Sequence, residues 1–136
     1  MDKILPRPGD LSAPYWEACR EGELKLQRCS GCNSYQFYPR RFCTGCGGRE
    51  LEWVVASGNG SVASYSVVRR AISDAYTAPY LIALVDLDEG PRMMSNIIDV
   101  DVEAVSIGCK VAVDFVAWSQ DVTMPVFRVL EGETAL

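Results

Sequence analysis

The chain contains no histidine in its 136 residues. Every nucleophile or general base that depends on an imidazole is therefore excluded within it. No apolar run approaches the roughly 20 residues that cross a bilayer, so no membrane role is expected. No glycine-rich loop follows a strand in the manner of a nucleotide motif. The opening stretch, MDKILPRPGDLSAPYW, lacks an apolar core after its lysine and does not read as a secretory leader. A cytoplasmic setting is expected, where thiols stay reduced and closely spaced cysteines read as metal ligands or redox groups.

Positive charge is scarce outside one segment. Between residues 20 and 49 the basic residues are Arg20, Lys25, Arg28, Arg40, Arg41 and Arg49, against only Glu21 and Glu23. From Ala56 onward acidic residues dominate, and the whole chain carries a net charge of −5. A nucleic-acid binder spreads basic charge over its whole binding face. A single basic segment suits a local phosphate or carboxylate better. A single-stranded nucleic-acid-binding barrel, which needs basic and aromatic faces, is the weaker alternative.

That basic segment holds four of the six cysteines, in RCSGCNSYQFYPRRFCTGCGG. The spacing Cys29-x2-Cys32 and Cys43-x2-Cys46 gives two tight knuckles that complete a tetrahedral shell of four sulfurs. Gly31, Gly45, Gly47 and Gly48 are expected at the positive-φ positions such turns require. Zinc is the expected ion, with a rubredoxin-type iron centre for electron transfer and disulfides as the alternatives. Four protein ligands leave no coordination position open, so the ion is expected to be structural. Cys19 and Cys109 lie in apolar settings and read as small core residues. The acidic residues at Asp86, Asp88 and Glu89, and at Asp99, Asp101 and Glu103, read as solvated turns. No catalytic residue is assigned, and the chain is not expected to be an enzyme alone.

LSAPYWEACREGE reads as a short helix, with Ser12 as N-cap, Pro14 in the first turn and Gly22 as the stop. Tyr15, Trp16 and Cys19 form an apolar stripe, fit for a core or for a partner subunit. LKLQRC and SYQFYP are short alternating runs beside the first cysteine pair. LEWVVAS, GSVASYSVVRR, YLIALVDL, RMMSNIID, KVAVDFVAW and PVFRVL are β-rich runs separated by turn residues. DLDEGPR is a hairpin turn, and VDVEAVSIG is a candidate helical insert between the third and fourth barrel strands. No internal repeat is expected. The fold class is mainly β: an N-terminal helical segment (1–22), a zinc ribbon (23–55) and a five-stranded OB-fold barrel (56–136). Arg40 and Arg41 between the knuckles, and Arg69 and Arg70 after the first barrel strand, are the polar pairs best suited to phosphate.

The helix carrying Trp16, followed by REGELKLQRCSGC, YQFYPRRFCTGCGG, LEWVVASGNGSVASYSVVRR, APYLIALVDLDEG and IGCKVAVDF, resembles a family of small proteins. In these a rubredoxin-like zinc ribbon is fused to an OB-fold, in association with acyl-CoA metabolism. The likeness covers residues 12–130, and the four cysteines match the family's zinc ligands. Tyr38-Pro39, where a double proline is common, and Thr44, where proline follows the third cysteine, depart from the usual pattern without touching a ligand. The resemblance implies a non-catalytic partner of thiolase-fold, enoyl-CoA hydratase or aldolase enzymes. It implies a hetero-oligomer whose OB-fold docks on the catalytic subunit and helps form its acyl-CoA channel. Arg40, Arg41, Arg69 and Arg70 are then expected near CoA phosphates, and Tyr15 and Trp16 at the partner interface, with Tyr65, Trp118 and Phe127 as further aromatic candidates.

Overall fold

The structure, a computed structural model, describes residues 3–130. Helix α1 spans Ala13–Arg20. Ser12 stands at its N-cap position, but the hydroxyl accepts from the Gly9 amide (3.2 Å) and caps no helical N–H. Gly22, at φ +79°, closes the helix as the Glu23 amide donates to the Ala18 carbonyl (2.9 Å). The buried side of α1 is spent within the chain. Tyr15 is 2% exposed, with its ring against Trp16, Phe37 and Tyr38, so it belongs to the chain's own core. Trp16 remains half-buried at the edge of that cluster.

Strands β1 (Lys25–Cys29), β2 (Tyr35–Gln36) and β3 (Leu51–Val55) form a small antiparallel sheet in the order β2-β1-β3. LEWVV is thus a ribbon strand, pairing with β1 from Lys25↔Val55 to Cys29↔Leu51. Leu24 and Leu26 join Tyr15 and Cys19 and the barrel's Val62, Val85 and Phe127 in one apolar core. The ribbon, too small to bury its own apolar face, borrows that of the barrel.

The remaining strands are β4 (Asn59–Val68), β5 (Tyr80–Leu87), β6 (Arg92–Ile97), β7 (Lys110–Ala117) and β8 (Thr123–Val129). They close into a barrel in the order β4-β5-β6-β8-β7, with β7 returning to β4 at Gly60↔Val111. A 3-10 turn at Val102–Ala104 lies between the third and fourth barrel strands. This is the OB-fold arrangement. The period-2 pattern is clearest in β5, where Leu81, Ala83, Val85 and Leu87 are buried and the residues between them are half-exposed. Closure requires β4 to pair on both sides. A Cβ at Gly60 would lie 2.6 Å from the Asp86 carbonyl oxygen, so glycine alone permits the approach. Phe127 is fully buried at the β6–β8–β7 junction and is a core residue, not an interface aromatic. Cys109 is also buried, and burial pushes the Cys19 thiol up to about 12, as befits inert core thiols.

Candidate metal centre

The two cysteine pairs are held by turns of the same hydrogen-bond pattern, fourteen residues apart. In the first, the Cys29 amide donates to the Ser34 carbonyl (2.9 Å) and the Asn33 amide to the Cys29 carbonyl (2.7 Å). In the second, Cys43 donates to Gly48 (2.8 Å) and Gly47 to Cys43 (2.9 Å). The repeat is visible in the residues as CSGCNS and CTGCGG, a short internal repeat where none was expected. The left-handed position is the fifth of each turn, Asn33 at φ +64° and Gly47 at φ +77°. Gly31, Gly45 and Gly48 are not left-handed. A Cβ at Gly48 would crowd the Cys46 sulfur (3.3 Å), whereas one at Gly31 or Gly45 would meet sulfur at ordinary contact distance, 3.5 Å from Cys29 and 3.6 Å from Cys43.

All four Sγ atoms lie within 4.8 Å of one another. Cys29 and Cys46 are 3.7 Å apart and Cys32 and Cys43 are 3.5 Å apart. A tetrahedron with metal–sulfur bonds of about 2.3 Å has edges of about 3.8 Å, so the donor set fits one ion. The same distances exceed a disulfide bond of about 2.0 Å, and the pairs stand as thiols. The Cys46 amide, the Ser34 hydroxyl and the Gly45 amide hold the Cys43 thiol down at about 6. The Ser34 hydroxyl and its backbone lower Cys32 as well. At Cys46 the Gly48 amide pulls downward but is outweighed by the neighbouring thiols of Cys29, Cys32 and Cys43, which raise it to about 11.

Two buried glutamines, invisible to a search for ligands, hold the segment between the knuckles. Gln27 and Gln36 face each other across β1 and β2, 4% and 6% exposed, and Gln36 Nε2 donates to Gln27 Oε1 (2.7 Å). Gln27 then takes both backbone groups of Arg40, its Nε2 donating to the carbonyl (2.9 Å) and its Oε1 accepting from the amide (2.8 Å). Gln36 donates to the Phe42 carbonyl (3.2 Å) and accepts from the Thr44 amide (2.9 Å). Arg40 and Arg41 are exposed on this loop. Arg69 and Arg70 lie elsewhere, on the barrel beyond β4, and Arg69 is already paired with Glu103 (3.0 Å).

Beside Trp16 an apolar groove of about 320 Å³ runs between the helix–ribbon aromatics and the barrel. Tyr38, Ile72, Met94, Tyr80 and Trp118 are among its walls, with Ile72 81% and Met94 66% exposed. It adjoins a second cavity of about 640 Å³, with which it shares Tyr76, Tyr80 and Trp118. Among the described residues no helix is long and apolar enough to cross a membrane.

A zinc ribbon with two sulfur knuckles, set against a closed five-stranded OB barrel through one short helix, defines the class. Residues 16–52 match the ChsH2 rubredoxin-like zinc ribbon domain, and residues 53–116 match the ChsH2 C-terminal OB-fold domain. A probable enoyl-CoA hydratase alpha subunit from Thermomonospora curvata is 34% identical over 92% of this chain and 40% of its own length. A DUF35 domain-containing scaffold protein from Methanocaldococcus jannaschii is 40% identical over 65% of this chain and 64% of its own. The benzoylsuccinyl-CoA thiolase subunit BbsA from Geobacter metallireducens is 33% identical over 69% of this chain and 58% of its own. The chain therefore spans less than two thirds of the length of these relatives. A solved structure described as an Ltp2-ChsH2(DUF35) aldolase superposes with a TM-score of 0.84 at 33% identity, covering 92% of this chain and 98% of that one. The chain belongs to the DUF35 family of ChsH2-type zinc-ribbon and OB-fold proteins.

Proposed function

We propose that the chain is a non-catalytic subunit of an acyl-CoA-processing complex. In this reading it is docked on a thiolase-fold catalytic subunit, with a hydratase as the other candidate, and carries one structural zinc on Cys29, Cys32, Cys43 and Cys46. The observation that carries the reading is the uncovered apolar groove at the seam of ribbon and barrel. Large exposed patches of this kind mark interaction surfaces, and aromatic anchors dominate their energetics. Names of relatives that are hydratase, thiolase and aldolase subunits or complexes support the partner class. Tyr38 lies in the groove wall and Arg40 follows two residues on. A partner seated in the groove would therefore bring its ligand close to Arg40 and Arg41, whose guanidinium forks suit the phosphates of a CoA ester. Of the other arginine pair, Arg69 is engaged by Glu103 and is the weaker candidate.

Co-expression with the catalytic subunit separates docking from ligand contact. Met94→Asp, at an exposed position the fold tolerates, should abolish co-elution in size-exclusion chromatography. Arg40→Ala with Arg41→Ala should leave the complex intact and raise the apparent KM for the CoA ester about tenfold or more. That is the scale of losing charge-assisted contacts of about 1.5–3 kcal/mol. A chain that stays monomeric beside its partner overturns the docking claim. An unchanged KM in an intact complex removes the two arginines from the site.

A further inference from the structure

The two knuckles share a hydrogen-bond pattern and differ at three positions, Ser30/Thr44, Asn33/Gly47 and Ser34/Gly48; of these side chains, that of Ser34 reaches the ligand sulfurs. Their sixth residues correspond, Ser34 in the first and Gly48 in the second. The Ser34 hydroxyl lies 3.0 Å from Cys32 Sγ in its own turn and 3.6 Å from Cys43 Sγ in the opposite one. No other hydroxyl among the described residues bonds a sulfur of the quartet; Ser30, in the same turn, turns away to the Glu50 carbonyl (3.2 Å). The second knuckle leaves room for Ser34. A Cβ at Gly45 would come within 3.3 Å of Ser34 Oγ, and within 3.6 and 3.8 Å of the Cys43 and Cys32 sulfurs. A hydroxyl therefore sits in a niche between two ligands from different turns, bounded by a residue with no side chain.

We propose that Ser34 is a positioning residue of the metal centre, its hydroxyl holding Cys32 and Cys43 in ligating register across the two knuckles. The inference rests on the four-sulfur metal reading above and extends it to a residue that binds no metal. A hydroxyl donating to a thiolate shares the negative charge that four sulfurs place on one ion, so it stabilises the loaded site. It also withdraws electron density from the sulfur. The Gly45 amide also donates to Cys43 Sγ (3.3 Å), but within its own turn; the Ser34 hydroxyl is the group that reaches a sulfur of each turn.

The full chain, loaded with Co2+ as the probe, tests the assignment by affinity and by spectrum. Ser34→Ala should weaken Co2+ and Zn2+ about tenfold in chelator competition, the lower end of the effect of outer-shell partners. Its sulfur-to-cobalt charge-transfer band should move to longer wavelength, since a sulfur without its donor gives up charge more readily. Ser34→Thr, which keeps the hydroxyl, should restore both values, and Ser30→Ala should change neither. A Ser34→Ala protein matching wild type within twofold, with an unshifted band, overturns the assignment. So does a Ser30→Ala effect of equal size. A wild-type chain that takes up no cobalt in tetrahedral sulfur geometry overturns the metal reading beneath it, a result distinct from the other two.

Discussion

Gln36→Leu isolates the buried amide pair from the metal ligands it stands beside. Leucine matches glutamine closely in volume, so the change removes hydrogen bonds with little change in packing. Four contacts disappear: to Gln27, to the Phe42 carbonyl, and from the Thr44 amide and hydroxyl. Phe42 and Thr44 are exposed, so water can reach part of what is lost. Gln27 is 4% exposed but keeps the Arg40 amide on its Oε1. The net loss is therefore that of about one incompletely satisfied buried group, about 1–3 kcal/mol. Because folding of the ribbon and metal binding are coupled, the loss should appear as a rise in apparent zinc Kd of roughly 5- to 150-fold. Chelator competition measures it, with far-UV circular dichroism confirming that the barrel is intact. A folded Gln36→Leu chain that binds zinc within twofold of wild type would refute the reasoning.

Phe127→Ala empties the junction where β6, β7 and β8 meet and should lower stability by about 3–5 kcal/mol, read as a fall in the urea midpoint at unchanged slope. A loss below about 1 kcal/mol would mean the barrel collapses around the gap. The Arg128 guanidinium, by hydrogen bonding above all, holds the Asp114 carboxyl below the usual carboxylate range. A carboxyl lowered in the folded state adds stability above its ordinary pKa and loses it as pH falls through the lowered value. Asp114→Asn should accordingly destabilise at pH 7, and the gap to wild type should close below about pH 4. A gap independent of pH would show that the pair contributes only as neutral hydrogen bonds.

How much could be read beforehand depended on whether a feature is local. The cysteine spacing is local, and so is the alternation of Leu81, Ala83, Val85 and Leu87, so the metal cage and the barrel strands were both legible. LEWVV reads as β but does not say which sheet it joins, since its partner β1 lies more than twenty residues earlier. Tyr15 and Trp16 occupy one helix face, and an apolar stripe has the same pattern whether it meets the chain's own core or a partner. The placement of Phe37 and Tyr38 against Tyr15 puts that ring in the core, while Trp16 stays half-buried beside the groove. Gln27, Gln36 and Ser34 are ordinary surface residues by type. Their roles come from the register Gln27↔Gln36 and from the meeting of two knuckles. The knuckle repeat was legible as CSGCNS and CTGCGG, and its departure from symmetry at Ser34 was the signal for that residue.

The same non-local contacts give a structural metal site a conformational role in the proposed docking function. From Phe37 to Phe42 the chain has no regular secondary structure, yet almost every residue is held. Phe37 packs on Tyr15, the Tyr38 hydroxyl accepts from the Trp16 indole (3.2 Å), and Pro39 is buried. Gln27 holds both backbone groups of Arg40, Gln36 holds the Phe42 carbonyl, and Arg49 covers the Phe42 ring at 4.8 Å. The anchors of Phe37 and Tyr38 sit on α1, whereas those of Arg40 and Phe42 sit on β1, β2 and just past the second knuckle, which the metal fastens together. Without the ion, Cys43 and Cys46 lose their tie to Cys29 and Cys32, and one end of the loop is released. Preorganisation of an exposed loop lowers the ordering entropy that binding would otherwise cost. In the proposed complex the metal's contribution is thus conformational: it ties down the end of the loop that carries Arg40 and Arg41 before a partner would arrive.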